Sequence, residues 1–191
     1  MQAKTIKPGS KIKQKNINMN KLSFKKILTL SYLEVYHGSD TLVKEPKIIQ
    51  PVRALDFGIG FYTTTNINQA KSFSAKVKER NNSEHEYISV YKLDINLLKR
   101  KNCLYFDKPD KKWLDFVSEN RNGVYNGSLY DIIYGPVAND TIFKTFIAYQ
   151  NGILSEKETL KRLKVRNLYN QLVFTNEDAL KCLQFTGESN S

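Results

Sequence analysis

Short apolar runs, broken by glycine, proline and asparagine signals, recur along most of this chain. Leu33 to Tyr36 reads as a strand ending at His37-Gly38-Ser39, where glycine permits a sharp change of direction. An irregular stretch from Asp40 to Leu55, with Pro46 and Pro51, leads to the segment from Asp56 to Thr64, a glycine turn entering a short strand. Asn66 caps the next helix with Gln69 as reciprocal partner, and Ile67, Ala70, Phe73 and Val77 give it one apolar face. Lys78 to Glu86 is expected as a loop and Tyr87 to Leu93 as a strand. Asp110 caps a helix carrying Trp113, Phe116 and Val117, and Leu129 to Tyr134 is a strand running into Gly135-Pro136. Asp140 caps a helix with Ile142, Phe143, Phe146, Ile147 and Tyr149 inward, stopped at Gly152. Ser155 to Glu158 is a capping box, Gln171 to Phe174 a strand, and Thr175 caps a final amphipathic helix. No regular βαβ beat and no repeat is present. The pattern predicts an α+β domain on a small, mostly antiparallel sheet.

Charge divides the 191 residues unevenly. Eight of the eleven net positive charges are lysines in residues 1 to 26, a stretch without acids, which leaves only +3 to the remaining 165. The chain is therefore expected as a basic flexible arm (1–30), a folded domain (31–185) and a short disordered tail (186–191). Lysines meeting phosphates would give the arm a salt-sensitive, sequence-blind affinity for nucleic acid; a solvated tail without a partner is the alternative. No apolar run approaches the roughly 20 residues of a membrane span, so no membrane partner is expected. Cys103 and Cys182 lie far apart without CxxC spacing, and His37 and His85 are the two histidines. No disulfide framework and no metal site is expected, and the chain reads as cytoplasmic.

Neither a phosphate-binding P-loop nor a nucleophile elbow occurs. His37 sits at a strand end where its imidazole can bond a hydroxyl while the Gly38 backbone approaches a flat ligand; it also suits a structural role. Tyr62 reads either as a half-buried strand residue or as a stacking face for an aromatic ligand. Phe73, eleven residues later, is core or the other side of the same slot. Arg53 and Arg121 are surface ion-pair partners or, under the resemblance described next, forks for a pyrophosphate.

The order Tyr36-His37-Gly38-Ser39, then Gly58-Ile59-Gly60-Phe61-Tyr62-Thr63-Thr64, then a strand opening at Gln171 resembles the diphtheria-toxin-like His–Tyr–acid class of ADP-ribosyltransferases. Residues 34 to 185 more closely resemble a bacterial family of uncharacterised ADP-ribosyltransferase-like proteins, often the toxin half of toxin–antitoxin pairs. The blocks carrying the likeness include Leu55 to Thr64, Phe106 to Asp110, Trp113 to Val117, Asn120 to Gly123, Asp131 to Asp140 and Asn170 to Phe174. The resemblance implies a split β-sandwich of two small, mostly antiparallel sheets with flanking helices and an NAD cleft between them. It implies His37, Gly38, Ser39, Arg53, Gly60, Phe61, Tyr62, Thr63 and Phe73 as the NAD-contacting set, with His37, Tyr62 and Gln171 catalytic. Gln171 stands where most active members of the superfamily carry glutamate. The implied activity is NAD-dependent mono-ADP-ribosyl transfer by an intracellular toxin with a cognate antitoxin. NAD glycohydrolysis and a non-catalytic nucleotide-, RNA- or protein-binding module are the alternatives.

Overall fold

The structure is a computed structural model that describes residues 22–52, 54–138, 140–164 and 168–189. The elements in order are α1 (Phe24–Ile27), β1 (Tyr32–Ser39), β2 (Phe61–Thr64), α2 (Ile67–Asn81), β3 (Tyr87–Asp94), α3 (Ile95–Leu98), β4 (Cys103–Tyr105) and α4 (Lys111–Arg121). They continue with β5 (Ile132–Pro136), α5 (Asp140–Gln150), α6 (Glu156–Lys164), β6 (Asn170–Phe174), α7 (Glu177–Leu180) and β7 (Leu183–Ser189). This is an α+β protein. Its strands form one seven-stranded sheet in the order β4-β5-β6-β2-β1-β3-β7, with only the β4–β5 pair parallel. Where two small sheets are expected, the strands are joined in one. The two groups of strands are linked through β1 and β2, whose register consists of the single pair Tyr36–Thr64, whereas β2 pairs with β6 along all four of its residues.

One face of the sheet carries a continuous core. Leu33 and Val35 of β1, Phe61 of β2, Tyr91 and Leu93 of β3, Tyr134 of β5 and Phe174 of β6 all belong to it. Because side chains alternate along a strand, the neighbouring residues point the other way. That second face is covered in two pieces. Val173 and Ile133 pack with Phe57, Trp113 and Val117 in a second cluster, while α2 lies on β1, where a Cβ on Gly38 would clash with the Ala70 carbonyl and come within 2.9 Å of the Ser74 amide. Glycine is required there because no side chain fits beneath the helix. The helix accordingly buries Ala70 and Ser74, while Phe73, expected on its inner face, is 42% exposed.

Several boundaries move for physical reasons. The lower part of the expected arm is core: Leu22, Phe24 and Ile27 are buried, and the Phe24 ring stacks on Tyr105 at 5.0 Å. Lys25 and Lys26 between them disguise this short apolar helix as part of the charged stretch. Residues 1–21 lie outside the described residues. Helix α2 continues through the expected loop at Lys78 and stops at Asn82, whose left-handed φ of 51° ends it. Strand β5 starts at Ile132, leaving Leu129 exposed, because the Asp131 carboxylate instead accepts from the Asn102 amide and the Asn176 side chain.

The C-terminal reading changes most. Asn176, rather than Thr175, caps a helix of only four residues, and the chain then forms β7 along β3. Leu183, Phe185 and Gly187 alternate with exposed neighbours at the period of a strand, so 186–189 are strand and not tail. In α5, Ile142 is buried but Ile147 is 40% exposed instead of inward; the side chains of Asp140, Phe143 and Phe146 lie outside the described set. The capping box at Ser155 closes as expected, with reciprocal bonds to Glu158.

Candidate functional site

The predicted residues gather where β1 and β2 cease to pair. Beyond the Tyr36–Thr64 pair, β1 continues as His37-Gly38-Ser39 and β2 as Thr63-Tyr62-Phe61. His37 Nδ1 lies 2.7 Å from the Tyr62 carbonyl oxygen, so the imidazole satisfies a strand carbonyl at the edge of this gap. A carbonyl can only accept, which places the ring proton on Nδ1 and leaves Nε2 as an acceptor in the neutral ring. Burial lowers the His37 pKa from its ordinary value, only partly opposed by that hydrogen bond, and so favours the neutral form. The ring also stacks on Phe61 with centroids 4.4 Å apart, which fixes its plane.

Tyr62 points to the opposite face, against the second cluster. Its hydroxyl donates to the Gly58 carbonyl at 2.8 Å and accepts from the Phe57 amide at 3.1 Å. The turn needs Gly58 because its φ is +76°, a region other residues rarely adopt. Burial, with a contribution from the Asp56 charge, pushes the Tyr62 phenol far above its ordinary pKa, so it stays protonated. The ring is thus anchored at its far end. Phe73 stands exposed on α2, and its ring does not touch that of Tyr62 among the described ring contacts.

Gln171, next to Tyr62 on the same face through the Thr64–Gln171 pair, is 6% exposed. Its amide nitrogen donates to Asp56 Oδ2 at 3.3 Å. Asp56 also accepts from Arg121 Nε at 2.7 Å and from the Ala138 amide at 2.8 Å, while Arg121 donates to the Ala138 carbonyl at 2.9 Å. Among the described residues the one fully sealed side-chain polar atom without a partner is Ser118 Oγ. No hydrogen bond of the chain engages Gln171 Oε1 or His37 Nε2.

The remaining expected residues divide by role. Phe61 is core, and the Thr63 hydroxyl is bonded to the Leu172 carbonyl. Ser39 Oγ is bonded to Asp40, and Gly60 abuts Val173 and the Phe174 carbonyl at the entry to β2. Arg53 lies outside the described residues. Arg121, expected as a pyrophosphate fork, is committed to Asp56. Glu177 and Asp178 sit in the first turn of α7, Asp178 paired with Lys101 and Lys181. Asp56 is the residue that sequence reasoning passed over. An acid before a glycine turn suggests only turn chemistry, and its partner Arg121 lies 65 residues away.

Residues 33–185 match the family described as Protein of unknown function (DUF3990). The chain belongs to that family. No curated protein and no solved structure matches it. The match spans β1 through the first half of β7, so every residue of the gap and of the Asp56 network lies within the family's common region. No helix among the described residues is long and apolar enough to cross a membrane.

Proposed function

We propose that this DUF3990 protein is an NAD-dependent mono-ADP-ribosyltransferase acting in the cytoplasm as the toxin of a toxin–antitoxin pair. The observation that carries the proposal is Gln171, buried beside Tyr62, whose amide nitrogen is held by Asp56 while no hydrogen bond of the chain engages its Oε1. An amide oxygen suits a ribose hydroxyl, which can donate to it. Tyr62, anchored to its turn, and the exposed Phe73 on α2 offer aromatic faces for the nicotinamide ring. The single β1–β2 pair is compatible with the split-sandwich architecture that such a cleft requires.

In this reading the bond between nicotinamide and C1′ of the ribose breaks, and its electron pair leaves with nicotinamide. A nucleophile on the acceptor then bonds to C1′ and gives up its proton. Gln171 orients the ribose, and its oxygen faces the positive charge that develops on it, while His37 holds the Tyr62 carbonyl at the end of β1. Oriented dipoles stabilise such charge, though an amide does so less than a carboxylate. That deficit favours transfer of a single unit over chain elongation. It also supports a second reading, a binding module that holds NAD without turnover.

Nicotinamide release from NAD by purified protein, alone and with cell lysate, tests the proposal. Release that needs lysate and is lost in Gln171→Ala identifies a transferase with its acceptor in the lysate. Release without lysate identifies a glycohydrolase. NAD binding by calorimetry without release favours the binding module, and absence of binding defeats the NAD reading. Expression without an antitoxin should arrest growth, and Tyr62→Ala should relieve the arrest.

A further inference from the structure

We infer that Asp56 is a positioning residue for Gln171, fixing the orientation of its amide and placing a negative charge directly behind it. Asp56 serves the reaction in this way only if the NAD reading above holds. A glutamine amide has two ends that differ chemically, and a turn of half a revolution exchanges donor and acceptor. The Asp56 carboxylate accepts only, so it selects the orientation with Nε2 toward Asp56 and Oε1 turned away from it. The opposite orientation would set two oxygens against each other.

Asp56 is itself held from several sides. Arg121 and the Ala138 amide grip its two oxygens, and the Tyr62 phenol lies close enough for the Asp56 charge to act on it. Asp56 is only 7% exposed, so its position is set by packing as well as by bonds. A buried carboxylate donating electron density through the N–H of the amide makes the distal oxygen a stronger acceptor. The Asp56–Gln171 pair thereby supplies, through one hydrogen bond, part of the negative field that a glutamate would supply directly. The same arrangement explains why a glutamate fits poorly at position 171: it would stand beside a carboxylate already in place, and one member of such a pair keeps its proton to higher pH.

The test uses the full chain with Asp56→Asn, Gln171→Glu and the double substitution that exchanges the two groups. Nicotinamide release and melting temperature are each followed from pH 4 to pH 8. With wild type active, Asp56→Asn should slow release by about tenfold or more with a smaller change in KM. Gln171→Glu should also be slow near neutrality, and the exchanged pair should recover wild-type activity or exceed it. A residue that merely held the fold would not be rescued by exchange. The melting temperature of Gln171→Glu should fall as pH rises, because the folded state retains a proton that the unfolded state releases. Wild type and the exchanged pair should lack that fall.

Full activity in Asp56→Asn, or a Gln171→Glu variant as active alone as in the exchanged pair, overturns the inference. Should wild type leave NAD untouched, the NAD reading fails. The melting curves then still decide whether Asp56 holds position 171, and equal pH slopes in Gln171→Glu and the exchanged pair overturn that too. Should Asp56→Asn fail to fold, Gln171→Glu against wild type keeps the question open to both measurements, because it leaves the Asp56–Arg121 pair intact.

Discussion

The two faces of the sheet are built on different principles. One is a single dry core from β3 to β5, with Leu33, Val35, Tyr91, Leu93 and Phe174 wholly enclosed. The other is divided between α2, seated on Gly38, and the cluster around Trp113, and at the division lie Tyr62, Gln171 and the buried Asp56–Arg121 pair. A continuous apolar face stabilises through area removed from water and needs no exact geometry. Buried charges and oriented amides stabilise little for their cost, and their presence at the division marks where the chain holds atoms in place instead. Gln171 and Tyr62 thus stand on the divided face, and His37 stands with Phe61 on the other.

Substitutions can break that contrast in graded ways. The largest loss is expected from Phe174→Ala on the dry face, about 3–5 kcal/mol by denaturant unfolding. Arg121→Ala, on the divided face, should cost about 3 kcal/mol because it leaves Asp56 enclosed without its cation. Arg121→Lys should recover part of this loss but not all, since a single ammonium cannot grip both Asp56 and the Ala138 carbonyl as the guanidinium does. If both variants are as stable as wild type, the network carries no structural load and the contrast fails. Gly38→Ala should cost about 1–3 kcal/mol by forcing α2 off β1. Ala70→Gly should not rescue it, because the clash is with the Ala70 backbone carbonyl.

The smallest expected effect is on pH dependence. The His37 pKa is lowered in the folded protein, so the folded state resists the proton that the unfolded chain takes up. Stability is then fully present above the unfolded value near 6.5 and lost as pH falls below it toward the folded value. His37→Gln should flatten the melting temperature in that window. An unchanged slope would mean that His37 meets water more freely than its stacking on Phe61 suggests.

Much of this was legible from one-dimensional pattern. The strand around Tyr87, the Asp110-capped helix and the capping box at Ser155 all rest on local signals of period, cap and turn. What was hidden depended on pairing between distant residues. Asp56 looks like a turn residue until Arg121 and Gln171 are brought to it. Leu22, Phe24 and Ile27 look like arm because lysines surround them, and only Tyr105 and Tyr134 show that they are covered. The segment after Asn176 carries both a helix-start signal and an alternating pattern. The open edge of β3 decided between them, since a strand there satisfies backbone groups that a helix would leave unpaired.

That last strand has a bearing on how the protein behaves in a test tube. The family match ends at residue 185, but β7 runs to Ser189 and covers the backbone of Ile88, Ser89 and Val90. A chain trimmed to the family boundary would bare that stretch of β3, two of whose side chains are buried aliphatics, as a raw edge able to pair with other molecules. The native edge guards against this with polar alternation, Glu188 near its end, and a register shift at Val90 and Tyr91 that spoils a straight template. The four residues beyond the matched region therefore cover a strand edge that would otherwise be open to another chain.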